Sequence, residues 1–332
     1  MIISKTPFRI SLFGGGTDYP EWYHENGGSV LATTIDKYCY ISCHHLPPFF
    51  EHKHRIVYSK IEEVKTVEEI QHPVVRAVLS NLSINTGLEI HHDADLPARS
   101  GLGSSSSFTV GLVNVINTLQ GLQVPKENLA KQAIYIEQEV LKETVGNQDQ
   151  ILAAFGGFNR IDFHPDDSFN ISPASINKEM MEKLQSHMLL FFTGFSRFSS
   201  DVARDKVSNF TNHFQELNQI KKMVDEGISI LQSPSTPIID LGKLMHESWK
   251  LKRSLSDKVS TPQIDEIYEA GIRTGAVGGK ILGAGGGGFI LFFAEPKNHK
   301  KIRERLKRLV HVAFNFENVG SKIVVYEPNG FK

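Results

Sequence analysis

The sequence predicts an α+β protein in two lobes, divided between residues 165 and 190. β-Branched and aromatic runs fill most of the first 95 residues, and a helical apolar period takes over from 104 to 155. Strands and helices then recur in mixed order to the end. A chain of 332 residues suffices for one large or two ordinary domains around a substantial core.

Along the chain, IISKTPFRISLF, SVLATTIDKYCYISC, HRIVYS and GLEIHHDAD read as strands, with a helix over 67–82 between them. Phe108, Leu112, Val115 and Leu119 form one helical stripe. Leu129, Ala133, Ile136 and Val140 form a second, on a helix expected over 126–141. Strands follow at 157–163 and 188–192, and helices at 199–231, 241–255 and 263–273. A glycine-dense segment precedes FILFF, a helix is expected over 297–310, and KIVVYEP closes as a strand. The mixed charges of 209–231 fit a solvated lid or lobe surface.

Composition excludes several function classes. With 36 Lys+Arg against 37 Asp+Glu, no domain-wide basic field exists to collect nucleic-acid phosphates. Cys39 and Cys43 can form neither a disulfide framework nor a four-thiolate zinc site; a reduced, cytoplasmic setting and buried thiols are expected. The opening residues lack the pattern of a signal peptide, and no apolar run reaches ~18 residues. His44–His45 and His91–His92 are adjacent strand residues facing opposite sides, so no metal is expected there.

Three glycine-bearing segments are candidates for ligand contact. LPARSGLGSSSSFTVGL, residues 96–112, follows a strand and opens a helix. Gly101 and Gly103 allow close backbone approach, and Ser104 to Ser107 fall where helix amides lack intrahelical acceptors. Such a terminus binds anions, and hydroxyls beside it can touch a phosphate-bound metal; a serine-rich cap is the plainer alternative. It is neither a Walker A loop nor a dinucleotide fingerprint, because Ser106 holds the third glycine position. In FRISLFGGGTDYPEW, a strand carrying Arg9 and Ser11 runs into Gly14, Gly15 and Gly16, then Thr17 and Asp18. That pattern suits a turn against a small ligand, or a plain Thr-Asp turn. In GGKILGAGGGGFILFF a strand follows the glycines where a dinucleotide site needs a helix, so a hairpin packed on another loop or a ligand is expected.

Two carboxylates stand apart from the rest. Glu137 shares the apolar face of the 126–141 helix, where a charge is costly unless paired or metal-bound. Asp149 opens the next helix, where the dipole favours an anion. One acid for Mg²⁺ and one for a hydroxyl's proton is the minimum for phosphoryl transfer; two partly solvated helix acids is the bland reading.

In this order the pieces resemble the GHMP kinase superfamily, over essentially the whole chain. The resemblance implies a two-lobed GHMP kinase fold, with a ribosomal protein S5 domain 2-like N-terminal lobe (1–175) and a ferredoxin-like C-terminal lobe (176–332). ATP and Mg²⁺ are the implied cofactors. Pro97, Ser100, Gly101, Leu102, Gly103, Ser104, Ser105 and Ser106 would cradle the ATP phosphates, and Ser105 with Glu137 would hold Mg²⁺. Asp149 would face the acceptor hydroxyl with Arg9 as its basic partner. Asp18 would bind the sugar, alongside Gly15, Gly16, Thr17, Gly285 and Gly286.

Within the family, Gly-Gly-Gly-Thr-Asp in place of Gly-Glu-His-Thr-Asp, together with GNQDQ and FFTGFSRFSSDVA, resembles the branch acting on the anomeric hydroxyl of D-glycero-D-manno-heptose 7-phosphate. The glycines at Gly15 and Gly16 remove two side chains, which implies a bulkier or differently oriented ligand. Arg197 is the candidate for the 7-phosphate, with pairing to Asp201 as its alternative role. The expected partner is a small-molecule sugar phosphate, with no nucleic acid or membrane, and a homodimer is left open. A kinase of an unphosphorylated sugar such as fucose or galactose competes with this reading. So does a non-catalytic sugar-binding regulator, against which the complete set of Ser105, Glu137 and Asp149 argues.

Overall fold

A computed structural model of the chain describes residues 1–98, 100–195 and 199–328. Two sheets organise them. The larger has nine strands, and its main path runs Lys322–Tyr326, Ile2–Phe13, Gly28–His45, Leu88–Ala94, His54–Val57, Ile61–Val64. Gly28–His45 is long enough to serve two neighbours: its first half pairs with Phe158–Phe163 and its second with Leu88–Ala94. The smaller sheet is antiparallel throughout, in the order Val310–Val312, Met188–Phe192, Phe289–Ala294, Ala276–Ile281.

Burial explains the unbroken run of Ile2–Phe13. Its first four residues alternate buried and half-buried, and the last eight are buried on both faces. The Ser104–Leu119 helix packs on this strand, and the Phe214–Gln232 helix reaches its far end, where Gly227 lies flat on the Phe13 ring. The second-half helix is therefore a wall of the core. It is not the solvated lid its charges suggested.

Several expected elements shift for local reasons. The helix expected over 67–82 is Pro73–Asn81, because Pro73 fixes the first turn and His72 caps the Val75 amide. The helix expected over 126–141 stops at Tyr135 and continues as a π turn, Ile136–Val140, closed by the Leu141 amide on the Ile136 carbonyl. The single 199–231 helix breaks at the 3₁₀ turn Phe210–His213, and 297–310 is mostly the short helix His299–Arg305 followed by a strand.

A C-terminal lobe running from 176 to 332 requires correction as well. Phe316–Glu317 and Lys322–Tyr326 return to the first sheet, beside Gly28–His45 and Ile2–Phe13. The Ile-Val-Val core of that last strand completes an edge of the first sheet. Among the described residues no helix is long and apolar enough to cross a membrane, and Cys39 and Cys43 are buried free thiols.

Candidate active site where the two halves meet

A cleft is walled from the first half by residues 9–19, 101–106 and 144–149, and from the second by Ala203, Lys206, Lys252, Lys280, Gly283 and Ala284. Its centre is an ion pair. Arg9 donates from Nε and Nη2 to the two oxygens of Asp149, each at 2.7 Å. This fork-to-fork geometry fixes the carboxylate in two directions. The third arm of the guanidinium donates to the Gly101 carbonyl at 2.6 Å, and the Arg9 amide to Leu102 at 3.0 Å. Arg9 is nearly enclosed, whereas the Asp149 side chain keeps 21% of its surface open. Gly103, at φ +73°, crosses directly over the pair: a Cβ there would lie 3.2 Å from the Arg9 chain and 3.3 Å from an Asp149 oxygen. Glycine is what lets the serine-rich loop approach so closely.

The segment GNQDQ deals its four side chains to five different partners. Asn147 ties Gln138 to Tyr23, Gln148 donates to Asp18 at 2.8 Å, Asp149 meets Arg9, and Gln150 donates to Glu137. Asp18 also accepts the Gly16 amide at 2.8 Å, and burial pushes its carboxyl above the usual range. Gly146 must be glycine, because a Cβ would sit 2.0 Å from an Asp18 oxygen.

Glu137 sits on the π turn and is fully buried. It accepts from Ser106 at 3.0 Å, Thr109 at 2.6 Å and Gln150. Burial pushes its carboxyl up to about 7, against the pull of these three neutral donors.

From the second half come three buried lysines. Lys252 donates to the carbonyls of Ile281 and Gly283 at 2.7 and 2.6 Å. Lys280 donates to Leu12 at 2.8 Å, joining the smaller sheet to the larger. Burial and neighbouring cations lower the Lys252 ammonium well below its ordinary value and bring Lys280 to about 7. The glycine hairpin that follows is packed on the phosphate-loop candidate backbone to backbone. A Cβ on Gly283 would meet the Gly101 Cα at 2.5 Å, and one on Gly288 the Ser100 carbonyl at 2.2 Å.

Comparison with known proteins decides the family. Residues 66–157 match the GHMP kinases N terminal domain and residues 235–311 the GHMP kinases C terminal domain, together about half of the chain. The chain belongs to the GHMP kinases. It is 28% identical to the D-glycero-alpha-D-manno-heptose 7-phosphate kinase of Campylobacter jejuni, over 97% of this chain and 98% of that one. It is 26% identical to the bifunctional fucokinase/GDP-fucose pyrophosphorylase of Arabidopsis thaliana, covering 94% of this chain and 31% of that protein. The solved D-glycero-D-manno-heptose 1-phosphate kinase from Bacteroides thetaiotaomicron shares the fold with a TM-score of 0.80 at 22% identity, covering 98% of this chain and 100% of that one.

In this GHMP kinase the residues singled out from sequence divide in two. Arg9, Gly15, Gly16, Asp18, Gly101, Gly103, Ser104, Ser105, Ser106 and Asp149 all line the cleft. Others do not reach it. Thr17 is a correction: its hydroxyl is spent on the carbonyls of Gly14 and Ser29, both at 2.9 Å, so it staples the loop and is closed to a sugar. Gly285 and Gly286 are another, since their turn packs on Val259 and leaves Gly283 and Ala284 as the hairpin's face to the cleft. Ser100 and Leu102 support the loop from below: their carbonyls accept the amides of Phe289 and Arg9. Pro97 is exposed away from it. Glu137 lies behind the wall, bonded to Ser106 and Thr109 in place of Ser105. Arg197 falls outside the described residues.

Gln148, Gln150, Thr109 and the three lysines were not singled out from sequence. Lys206 and Lys252 lie in helices of mixed polar and apolar residues that give no local sign of their burial; only Lys280, between glycines and Ile-Leu, carried such a hint.

Proposed function

We propose that this kinase transfers the γ-phosphoryl of ATP to a sugar hydroxyl, most concretely the anomeric hydroxyl of D-glycero-D-manno-heptose 7-phosphate. The observation that carries the reading is the doubly bonded Arg9–Asp149 pair, set under Gly103 of the serine loop and open to the cleft beside Asp18. A carboxylate so oriented accepts a hydroxyl proton on a free lone pair, while the guanidinium keeps it aimed and matches its charge. The amides and hydroxyls of the 101–106 loop suit a polyphosphate.

Glu137 is bonded by two hydroxyls, of Ser106 and Thr109, and by the Gln150 amide, and among the described residues no cation pairs with its carboxylate, which leaves it suited to a hard divalent ion. Ser105, Ser106 and Glu137 are the residues that would hold Mg²⁺. When bound, the ion supplies neutralisation of phosphate charge.

The heptose phosphate rests on the Campylobacter jejuni relative, aligned over nearly the full length of both chains. Gly15 supports it: a Cβ there would make ordinary contact with the Ser11 hydroxyl at 3.4 Å and the Gln148 amide at 3.8 Å, and a longer side chain would fill the space that glycine leaves to a ligand. Similarity to the fucokinase favours fucose as the second reading. An ADP-release assay across sugars and sugar phosphates tests both. Turnover on heptose 7-phosphate should exceed that on any unphosphorylated sugar by about tenfold or more. Preference for fucose would overturn the heptose assignment, and ADP release with no sugar in the panel would overturn the sugar kinase reading.

A further inference from the structure

We infer that Lys206 is the residue that selects a phosphorylated acceptor, binding the phosphate the sugar already carries. The inference rests on the reading that the 14–19 loop holds the acceptor. Lys206 lies on the Ser199–Ser208 helix, is only 4% exposed, and lines the cleft together with Ala203 one turn earlier. Among the described residues no carboxylate reaches ion-pair distance of its Nζ and no carbonyl or hydroxyl accepts from it; its contact is the Tyr19 ring, 4.5 Å below. A buried ammonium facing a cavity without a hydrogen-bond acceptor is a costly arrangement unless a ligand supplies one.

The pairing of charges around the cleft says which ligand. Arg9 and Asp149 cancel, and Asp18 faces Lys206, Lys252 and Lys280, whose ammonium pKa values burial lowers, so Lys206 is distinguished by its missing acceptor and not by a net surplus of charge. Lys252 and Lys280 are already engaged with carbonyls of the hairpin and of Leu12. Lys252 thereby holds the hairpin that abuts Gly101, on the side of the serine loop. Lys206 stands instead over Tyr19, on the side of Gly15 and Asp18. Across the cleft, Ser11 and Gln148 each hold a buried polar atom without a partner, Ser11 Oγ and Gln148 Oε1, of the kind a sugar hydroxyl could satisfy. Hydroxyl-binding groups and an unpaired cation in one cleft fit a sugar phosphate better than a neutral sugar.

The experiment measures affinity without nucleotide, by calorimetry on the whole protein, for heptose 7-phosphate and for the unphosphorylated heptose. Wild type should prefer the phosphorylated sugar. Lys206→Met, which keeps the stem and removes the charge, should weaken heptose 7-phosphate by about 10- to 100-fold and the neutral heptose by less than about twofold. Its thermal midpoint should not fall, because a buried ammonium is removed, and Lys206→Arg should recover part of the lost affinity. Equal losses on both sugars, a loss confined to ATP, or a wild type with no preference, including no binding of either, would overturn the inference. Binding with the expected loss but no ADP release would overturn the kinase assignment on this sugar and leave Lys206 as the phosphate reader.

Discussion

Glu137 and Asp149 are twelve residues apart, and both stand at irregular or opening turns of helices, yet their surroundings differ in kind. Glu137 is sealed behind the cleft wall and, among the described residues, its carboxylate is bonded only by the neutral donors Ser106, Thr109 and Gln150. Asp149 is matched charge for charge by Arg9 and keeps an open face. The difference separates two uses of a carboxylate. An acid whose charge is balanced inside the protein is free to handle a proton of something else, whereas one left without a counter-charge calls for a cation from outside.

Removing the same charge from each acid should therefore break different things. The largest effect is expected for Asp149→Asn, with kcat falling on the order of 10²- to 10⁴-fold and ATP affinity unchanged. Steady-state kinetics would show it, and near-normal turnover would erase the distinction drawn between the two acids. Glu137→Gln should act on the metal: the Mg²⁺ concentration for half-maximal rate should rise by about tenfold or more, with sugar affinity preserved. An unchanged Mg²⁺ titration would mark Glu137 as an acid of the fold, held in place by its three donors.

The smallest effect sharpens the comparison from the cationic side. Lys280, like Glu137, is buried against a neutral partner, and its value falls to about 7 from the ordinary 10.5. Between those values the unfolded lysine keeps a proton that the folded one has lost. Stability from this group should then rise with pH from about 7 to 10.5 and be level below 7. Lys280→Met should remove that slope, leaving a flatter curve of thermal midpoint against pH than wild type. Parallel curves would show that Lys280 stays protonated through the window.

The sequence showed most readily what depends on short spacing. The serine loop, the Arg9 strand, the Gly-Gly-Gly turn and Asp149 are each readable within a dozen residues, and the structure brings them to one cleft. Thr17 misled because a hydroxyl beside a ligand loop looks alike whether it faces outward or bonds Gly14 and Ser29. The hairpin tip misled because four glycines in a row do not say which of them meets Val259 and which the cleft. Lys206, Lys252 and Lys280 were hidden for another reason. Their burial arises only when helices of the second half close on strands of the first, and no local period records that closure. The π turn that redirects Glu137 was equally silent, since its residues satisfy a regular helical stripe.

The pairing of Ile2–Phe13 with Lys322–Tyr326 bears on how the molecule is made. A ribosome delivers the second of these strands some three hundred residues after the first, with Ile2 finally opposite Tyr326. At ordinary translation speeds that is a wait of roughly 15 to 60 s. Through that interval the outer edge of residues 2–5 offers unpaired amides and carbonyls to a passing strand. Arg9 lies farther along the same strand, where its amide bonds the Leu102 carbonyl, so the half that carries the central ion pair is closed by the serine loop long before the last strand covers residues 2–5.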